Sequence, residues 1–389
     1  MAIYLIRFTT WGSWSLLFSF FAVWLDGQAP FSAGAISLLG ASIALSNRAG
    51  SLLFVRWVGR ADFRLLLALT QVLITSAVVG LYLLHSTGQY ALAAWLPLVC
   101  LFGLGHSLAS LAQLTYIAAG HTGVDEVQAF SLENVALNLS AGVTPYASAM
   151  VLKHVPQYYL LFPITYCLAT LVLCLFLRRA AGSQAQARRA QAVARIRPAT
   201  VALFLLVNAL SFFAFSQFYN VFPLHARDHL DPETIGLWFA LSSGLIVLLQ
   251  LPLTRLLAGR RRAWLVIGAN AAMAVGVFAL FYAGAAPAAA LTAVLLLTLA
   301  EMIFGPLYQV MALSIFPGRP ALAMAVLTLT WALAEALATG VGLYLVAQGQ
   351  GWLAFALGAG ACLLVVLVAA SQVGRRSETS LGTVMAARH

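Results

Sequence analysis

Charge is what this chain has least of. Asp, Glu, Lys and Arg together make up 8% of its 389 residues, whereas 62% are hydrophobic and the mean hydropathy is +0.94. That is too little charge to solvate a soluble globule of this size, so a water-soluble domain is excluded. Cysteine is scarce, and Cys100, Cys167, Cys174 and Cys362 all fall inside apolar runs. Their spacing fits neither a disulfide framework nor a metal site, and they are expected to be inert packing residues. No glycine-rich phosphate loop is present, and no cluster has nucleophile or metal-ligand spacing. Neither enzymatic activity nor any cofactor is therefore expected. Lysine is almost missing, with Lys153 the lone example, an arginine bias of the kind GC-rich bacterial genes produce.

What the chain has in abundance is apolar sequence. A bilayer core about 30 Å thick needs roughly 20 apolar residues at a rise of 1.5 Å. Windows of that size predict spans near 4–24, 32–55, 65–84, 91–116, 128–152 and 157–177, then 199–224, 234–257, 263–283, 288–314, 321–346 and 352–371. Basic residues concentrate in alternate gaps between these spans. With the N-terminus inside, one side holds Arg7, Arg56, Arg60, Arg64, Arg178, Arg179, Arg188, Arg189, Arg195, Arg197, Arg255, Arg260, Arg261, Arg262, Arg319, Arg375, Arg376 and Arg388. The other side holds only Lys153 and Arg227, and Arg48 lies within a span. By the excess of Lys and Arg on cytoplasmic loops, both termini are predicted to be cytoplasmic. The net charge of +10 is then a consequence of topology: these arginines face anionic lipid head groups, and a nucleic-acid partner is not expected. The first span is too long for a signal peptide and no small-residue cleavage site follows it, so it is expected to be retained.

The longest polar interval, 178–198, divides the chain into a six-helix bundle over 1–177, a cytoplasmic basic linker, a second bundle over 199–371 and a cytoplasmic tail over 372–389. The halves repeat one another. Gly59-Arg60 recurs as Gly259-Arg260, and Gly142-Val-Thr-Pro-Tyr146 is matched by Gly340-Val-Gly-Leu-Tyr344. Two repeats related by an axis along the membrane normal are a transporter architecture, with the site at the midplane between them.

Twelve spans, a basic central loop, basic loops after the second and eighth spans, and a glycine- and proline-marked fifth span together resemble the major facilitator superfamily over essentially the whole chain. The family's loop pattern Gly-x-x-x-Asp-x-x-Gly-Arg-Lys/Arg survives as Gly59-Arg60, with Arg56 at the aspartate position and Leu52 at the first glycine. In the fifth span, Ser140, Thr144 and Pro145 keep the small-residue spacing of the drug-antiporter signature without its glycines. The fourth span, Cys100-Leu-Phe-Gly-Leu-Gly-His106, lacks the arginine that proton-driven drug exporters carry there. The resemblance implies an all-α membrane protein of twelve transmembrane helices in two six-helix bundles related by pseudo-two-fold symmetry. It also implies a cavity lined by the first, fourth, seventh and tenth helices.

Ionisable residues at membrane depth cost several kcal/mol unless they face protein or water, so each is a candidate for function. Glu301 lies midway along the tenth span in Ala300-Glu-Met-Ile-Phe-Gly-Pro306, a stretch similar to the Gly-Glu-x-x-x-x-Pro of some drug-exporter tenth helices. A carboxyl there can take a proton on one side and release it on the other; Tyr308, seven residues on, shares its face. Glu335 in the eleventh span and Glu133 in the fifth are the next candidates for proton coupling. Arg48 must meet a carboxylate, a substrate anion or water, and a structural Arg48–Glu133 pair weighs equally with direct anion binding. Polar stripes add substrate-binding candidates: His106, Ser110 and Gln113; Asn134 and Asn138; Asn208, Gln217 and Tyr219; and the aromatic wall of Trp11 and Trp14. For any one amide, hydrogen bonding between helices is at least as good an explanation.

These features predict a secondary active transporter of the bacterial inner membrane, exporting small amphipathic organic molecules by proton-coupled antiport. Its expected partners are a small-molecule substrate, protons and anionic lipids at the cytoplasmic loops, and it is expected to be a monomer. A siderophore or carboxylate-metabolite exporter, an uptake symporter or uniporter, and a non-transporting membrane receptor remain as alternatives.

Overall fold

The structure, a computed structural model, describes residues 1–18, 20–58, 61–120, 124–177, 198–226, 229–230 and 232–374. The basic linker 178–197, Gly59-Arg60, Arg227, the tail from 375 onward, and the side chains of Arg48 and Leu52 lie outside the described residues.

Each apolar segment is helical, because a backbone in lipid must satisfy its own N–H and C=O groups. In chain order the helices are α1 (Ala2–Phe18), α2 (Phe21–Gln28), α3 (Ala33–Val58), α4 (Phe63–Ser86), α5 (Leu92–Gly120), α6 (Val124–His154) and α7 (Leu161–Leu175). There follow α8 (Pro198–Asn220), α9 (Phe222–Ala226), α10 (Pro232–Leu257), α11 (Arg262–Tyr282), α12 (Pro287–Ile315), α13 (Pro320–Ala347) and α14 (Gly351–Gly374). Ten helices among the described residues are long and apolar enough to cross a membrane. The pair α1–α2 and the 26-residue α3 supply the other two of the twelve spans.

Local chemistry sets the ends. Asp62 caps α4 by accepting from the backbone N–H groups of Arg64 and Leu65 at 2.9 and 3.4 Å. The turn from α10 to α11 needs Gly259, whose φ of +77° is disfavoured for side chains with a Cβ. The first predicted span is broken after Phe18, and the break withdraws the normal helical partners of two carbonyls. Ser148 donates to Leu16 O at 2.8 Å and the Tyr159 hydroxyl to Leu17 O at 2.7 Å, so neither is left orphaned. The predicted start of the fifth span, 128, moves back to Val124, about one helical turn. The loop position assigned to Arg7 is also corrected: it lies within α1 and is buried, because Ser110 and Gln113 on α5 give its guanidinium polar partners.

The chain forms two compact units. The first comprises Met1–His121, Ala136–Gln191 and Gly318–Ala325; the second comprises Thr122–Val135, Ala192–Pro317 and Val326–His389, so α6 contributes to both. In the first unit α5 packs on α3, α4 and α1, and α7 packs on α1 and α4. Close approach of α3 and α5 relies on small residues: a Cβ on Gly103 would sit 2.6 Å from Ile43 O, and one on Gly50 2.6 Å from Ser107 Cβ. In the second unit α12 packs on α10, α11 and α8, and α14 packs on α8 and α11. The two sets of pairings are the same at equivalent positions of the repeat.

Candidate functional site

In the first unit the polar stripes of α1 and α5 meet. Arg7, buried, donates from Nη1 to Ser110 Oγ at 2.9 Å and to Gln113 Oε1 at 3.3 Å. Gln113 turns its Nε2 to Thr10 Oγ1 at 2.8 Å, and Gln71 of α4 reaches the same hydroxyl at 3.4 Å. The Arg7 guanidinium also stands 5.9 Å from the Trp11 ring centre, within cation–π range. Two turns along α1, Ser13 shares a 3.4 Å hydrogen bond with His106 Nε2. Trp14 stacks on Phe102 at 5.6 Å and meets the His106 ring edge-on at 5.3 Å. The sequence stripe His106, Ser110, Gln113 is thus a real face. Its upper residue belongs to an aromatic wall and its lower two hold a buried cation.

The second unit builds a similar node without the charge. The Tyr308 hydroxyl lies 2.8 Å from Ser211 Oγ and accepts from Asn270 Nδ2 at 3.1 Å, while Ser211 donates to Asn270 Oδ1 at 2.8 Å. Tyr308 therefore ties α12 to α8 and α11. Tyr219 of α8 has other partners: its hydroxyl hydrogen-bonds Ser242 and is within electrostatic reach of the Glu301 carboxyl. Ser242 also accepts from Thr298 at 2.8 Å. Tyr219 packs 5.1 Å from Phe239 and 5.5 Å from Phe215 between ring centres, and Phe215 in turn meets Phe304 at 5.2 Å. Glu301 itself is buried, 9% exposed.

The remaining candidates disperse. Trp331 of α13 donates to Asn208 Oδ1 at 2.8 Å and stacks on Phe212 at 5.1 Å. Glu335, one turn further, accepts from Asn220 at 3.4 Å. Gln217 donates to the Ala354 carbonyl at 3.1 Å, joining α8 to α14. Along the first turns of α6, Asn134 donates to Gln250 Oε1 at 2.9 Å, and Glu133 Oε2 accepts from Gln309 at 3.4 Å. Ser131 pairs with Thr254 at 2.7 Å, and Glu126 acts electrostatically on Arg262. Asn138 is buried on the part of α6 that belongs to the first unit. Among the described residues, no group of three His, Cys, Asp or Glu side chains is placed to hold a metal.

This fold recurs in solved transporters. The human organic anion transporter MFSD10 (TETRAN) superposes with a TM-score of 0.76 at 16% identity, covering 95% of this chain and 98% of that one. The proton:xylose symporter XylE gives 0.75 at 16% identity, over 95% and 94% of the two chains. The transporter FucP, in an outward conformation, gives 0.73 at 12% identity over 97% and 98%. At such identities the likeness is one of fold. No curated protein sequence matches the chain. The sequence profile described as Major Facilitator Superfamily matches residues 3–339.

The chain belongs to the major facilitator superfamily. It is a multi-pass membrane transporter, and its fold is the one the sequence resemblance implied. In this MFS protein Arg56, which stands where the family loop has aspartate, closes the last turn of α3, where a cation favours the helix dipole. Sequence reasoning missed Arg7, Thr10 and Gln71 in the first unit, and Ser211, Ser242 and Asn270 in the second. A signal for Arg7 existed, since it falls within the first predicted span. The serines carried none, because a lone hydroxyl in a span bonds its own helix as readily as a neighbour.

Proposed function

We propose that this transporter moves small amphipathic organic molecules by alternating access with proton coupling, in the export direction, across a bacterial inner membrane with both termini cytoplasmic. The observation that carries the proposal is Glu301, a carboxyl buried on a helix loosened by Pro306 and within electrostatic reach of the Tyr219 hydroxyl. A carboxyl in that setting changes charge as solvent access changes, which couples a proton to a conformational cycle. The stretch Ala300–Pro306, similar to that of drug-exporter tenth helices, supports the direction. Glu335 and Glu133, each within reach of one amide, stand second to Glu301 as proton carriers.

A second reading has its own support. Arg7, held against Ser110 and Gln113, favours substrates that carry a carboxylate, and the similar human structure is that of an organic anion transporter. A carboxylate-bearing metabolite such as a siderophore fits that chemistry.

Proteoliposomes loaded with a pH-sensitive dye test both readings. Lipophilic cations, carboxylate metabolites and siderophores are added without an imposed gradient. Proton movement evoked by a substrate is expected, with the sign of antiport, and is expected to vanish in Glu301→Gln. Proton movement of symport sign would overturn export. Unchanged flux in Glu301→Gln would remove Glu301 from the coupling.

A further inference from the structure

The second unit encloses a half-open cavity of about 90 Å³ where the first turns of α6 face the end of α10 and the middle of α12. Its walls are apolar, formed by Leu251, Leu257, Leu265, Met302, Ile303 and Leu307. The two hydroxyls that reach it are already engaged. Ser131 and Thr254 lie 2.7 Å apart and each is 2.8 Å from a carbonyl of its own helix, so both hydroxyl protons have acceptors outside the cavity. The other polar lining residues, Gln128 and Arg255, are exposed. The mouth is different, because the exposed Arg255 lines it and the exposed Arg260 and Arg261 follow on the next turn.

The surface around the mouth is that of a protein in lipid. Leu248 and Leu256 are exposed on α10, and Trp264, exposed at the start of α11, is the residue type that marks the boundary between hydrocarbon and head groups. An occupant must therefore present an apolar chain to the cavity and an anion to the arginines at the same helix end.

We propose that this cavity binds an anionic phospholipid, with an acyl chain between α6, α10 and α12 and the phosphate at Arg255. The bound lipid has a mechanical consequence. The first turns of α6 are held to α10, α11 and α12 by Ser131–Thr254, Asn134–Gln250 and Glu133–Gln309, and by the attraction of Glu126 for Arg262. A chain wedged beside that row adds apolar contact on both sides and keeps the row closed. The site is independent of the transported substrate and of the role of Glu301.

Native mass spectrometry of the protein released from nanodiscs of equal parts phosphatidylglycerol and phosphatidylcholine tests the proposal. Wild type is expected to retain phosphatidylglycerol preferentially. Arg255→Gln is expected to weaken that preference about fivefold, the effect of one arginine at a lipid surface. Ala258→Trp, at an exposed position on the rim, is expected to fill the mouth and abolish retention without altering thermal unfolding. Equal retention of the two lipids by wild type, or undiminished retention by Ala258→Trp, would overturn the site. Hydrogen exchange over residues 124–135 is expected to slow in phosphatidylglycerol discs for wild type but not for Ala258→Trp. Identical exchange in both lipids would overturn the clamp.

Discussion

The two units carry the same joint and use it differently. In each, one polar node binds three helices at equivalent positions of the repeat: Thr10, Gln71 and Gln113 on α1, α4 and α5, and Ser211, Asn270 and Tyr308 on α8, α11 and α12. The second node is closed, since three short hydrogen bonds link the side chains of all three helices. The first is looser: the Gln71 bond is 3.4 Å, its Oε1 is buried with no hydrogen-bond partner among the described residues, and Gln113 also serves Arg7. The difference teaches that one inherited joint can be spent on stability in one half and on holding a charge in the other. A buried carboxyl of the second unit, Glu301, is within electrostatic reach of Tyr219, which is not one of the three node residues.

The largest effect expected from testing this contrast is at Glu301. Glu301→Gln keeps size and hydrogen-bonding groups but removes titration, so proton-coupled flux in proteoliposomes should fall below detection while thermal unfolding is unchanged. Arg7→Gln should come next, reducing transport of carboxylate substrates about tenfold or more relative to cationic ones, in line with a charged hydrogen bond of about 1.5–3 kcal/mol. Equal loss for both substrate classes would make Arg7 a structural cation.

The nodes themselves give smaller, graded effects. Asn270→Ala strands a buried tyrosine and serine and should cost about 1–3 kcal/mol of stability, read as a lower unfolding temperature in detergent. Gln71→Ala, which removes one long bond, should cost less than half as much; equal costs would erase the distinction between a closed and an open joint. A similarly small effect should be Trp331→Phe, which keeps the stack on Phe212 but drops the bond to Asn208, at about 1 kcal/mol.

Much of this was legible in the chain. Twelve spans, the duplication and the face shared by Ser110 and Gln113 follow from hydropathy and from the 3.6-residue period, which depend only on near neighbours. The neighbours of Glu301 were legible only in part. Tyr308, on its face by spacing, serves the node, while Tyr219, on another helix, comes within electrostatic reach of it. Asn134 and Glu133 were legible as polar residues at depth but not as a row facing Gln250 and Gln309, more than a hundred residues away.

By itself, then, the sequence determined that this protein lives in a membrane, how often it crosses and which fold family it joins. Those outcomes depend on the cost of moving each segment into lipid, a sum over local residues. Only the tertiary structure decided that Arg7 is buried rather than in a loop, that Tyr219 comes within electrostatic reach of Glu301, and that α6, α10 and α12 leave a cavity lined by Arg255. A side chain's partner is chosen by helix packing, and packing brings together residues whose separation along the chain says nothing of their distance in space.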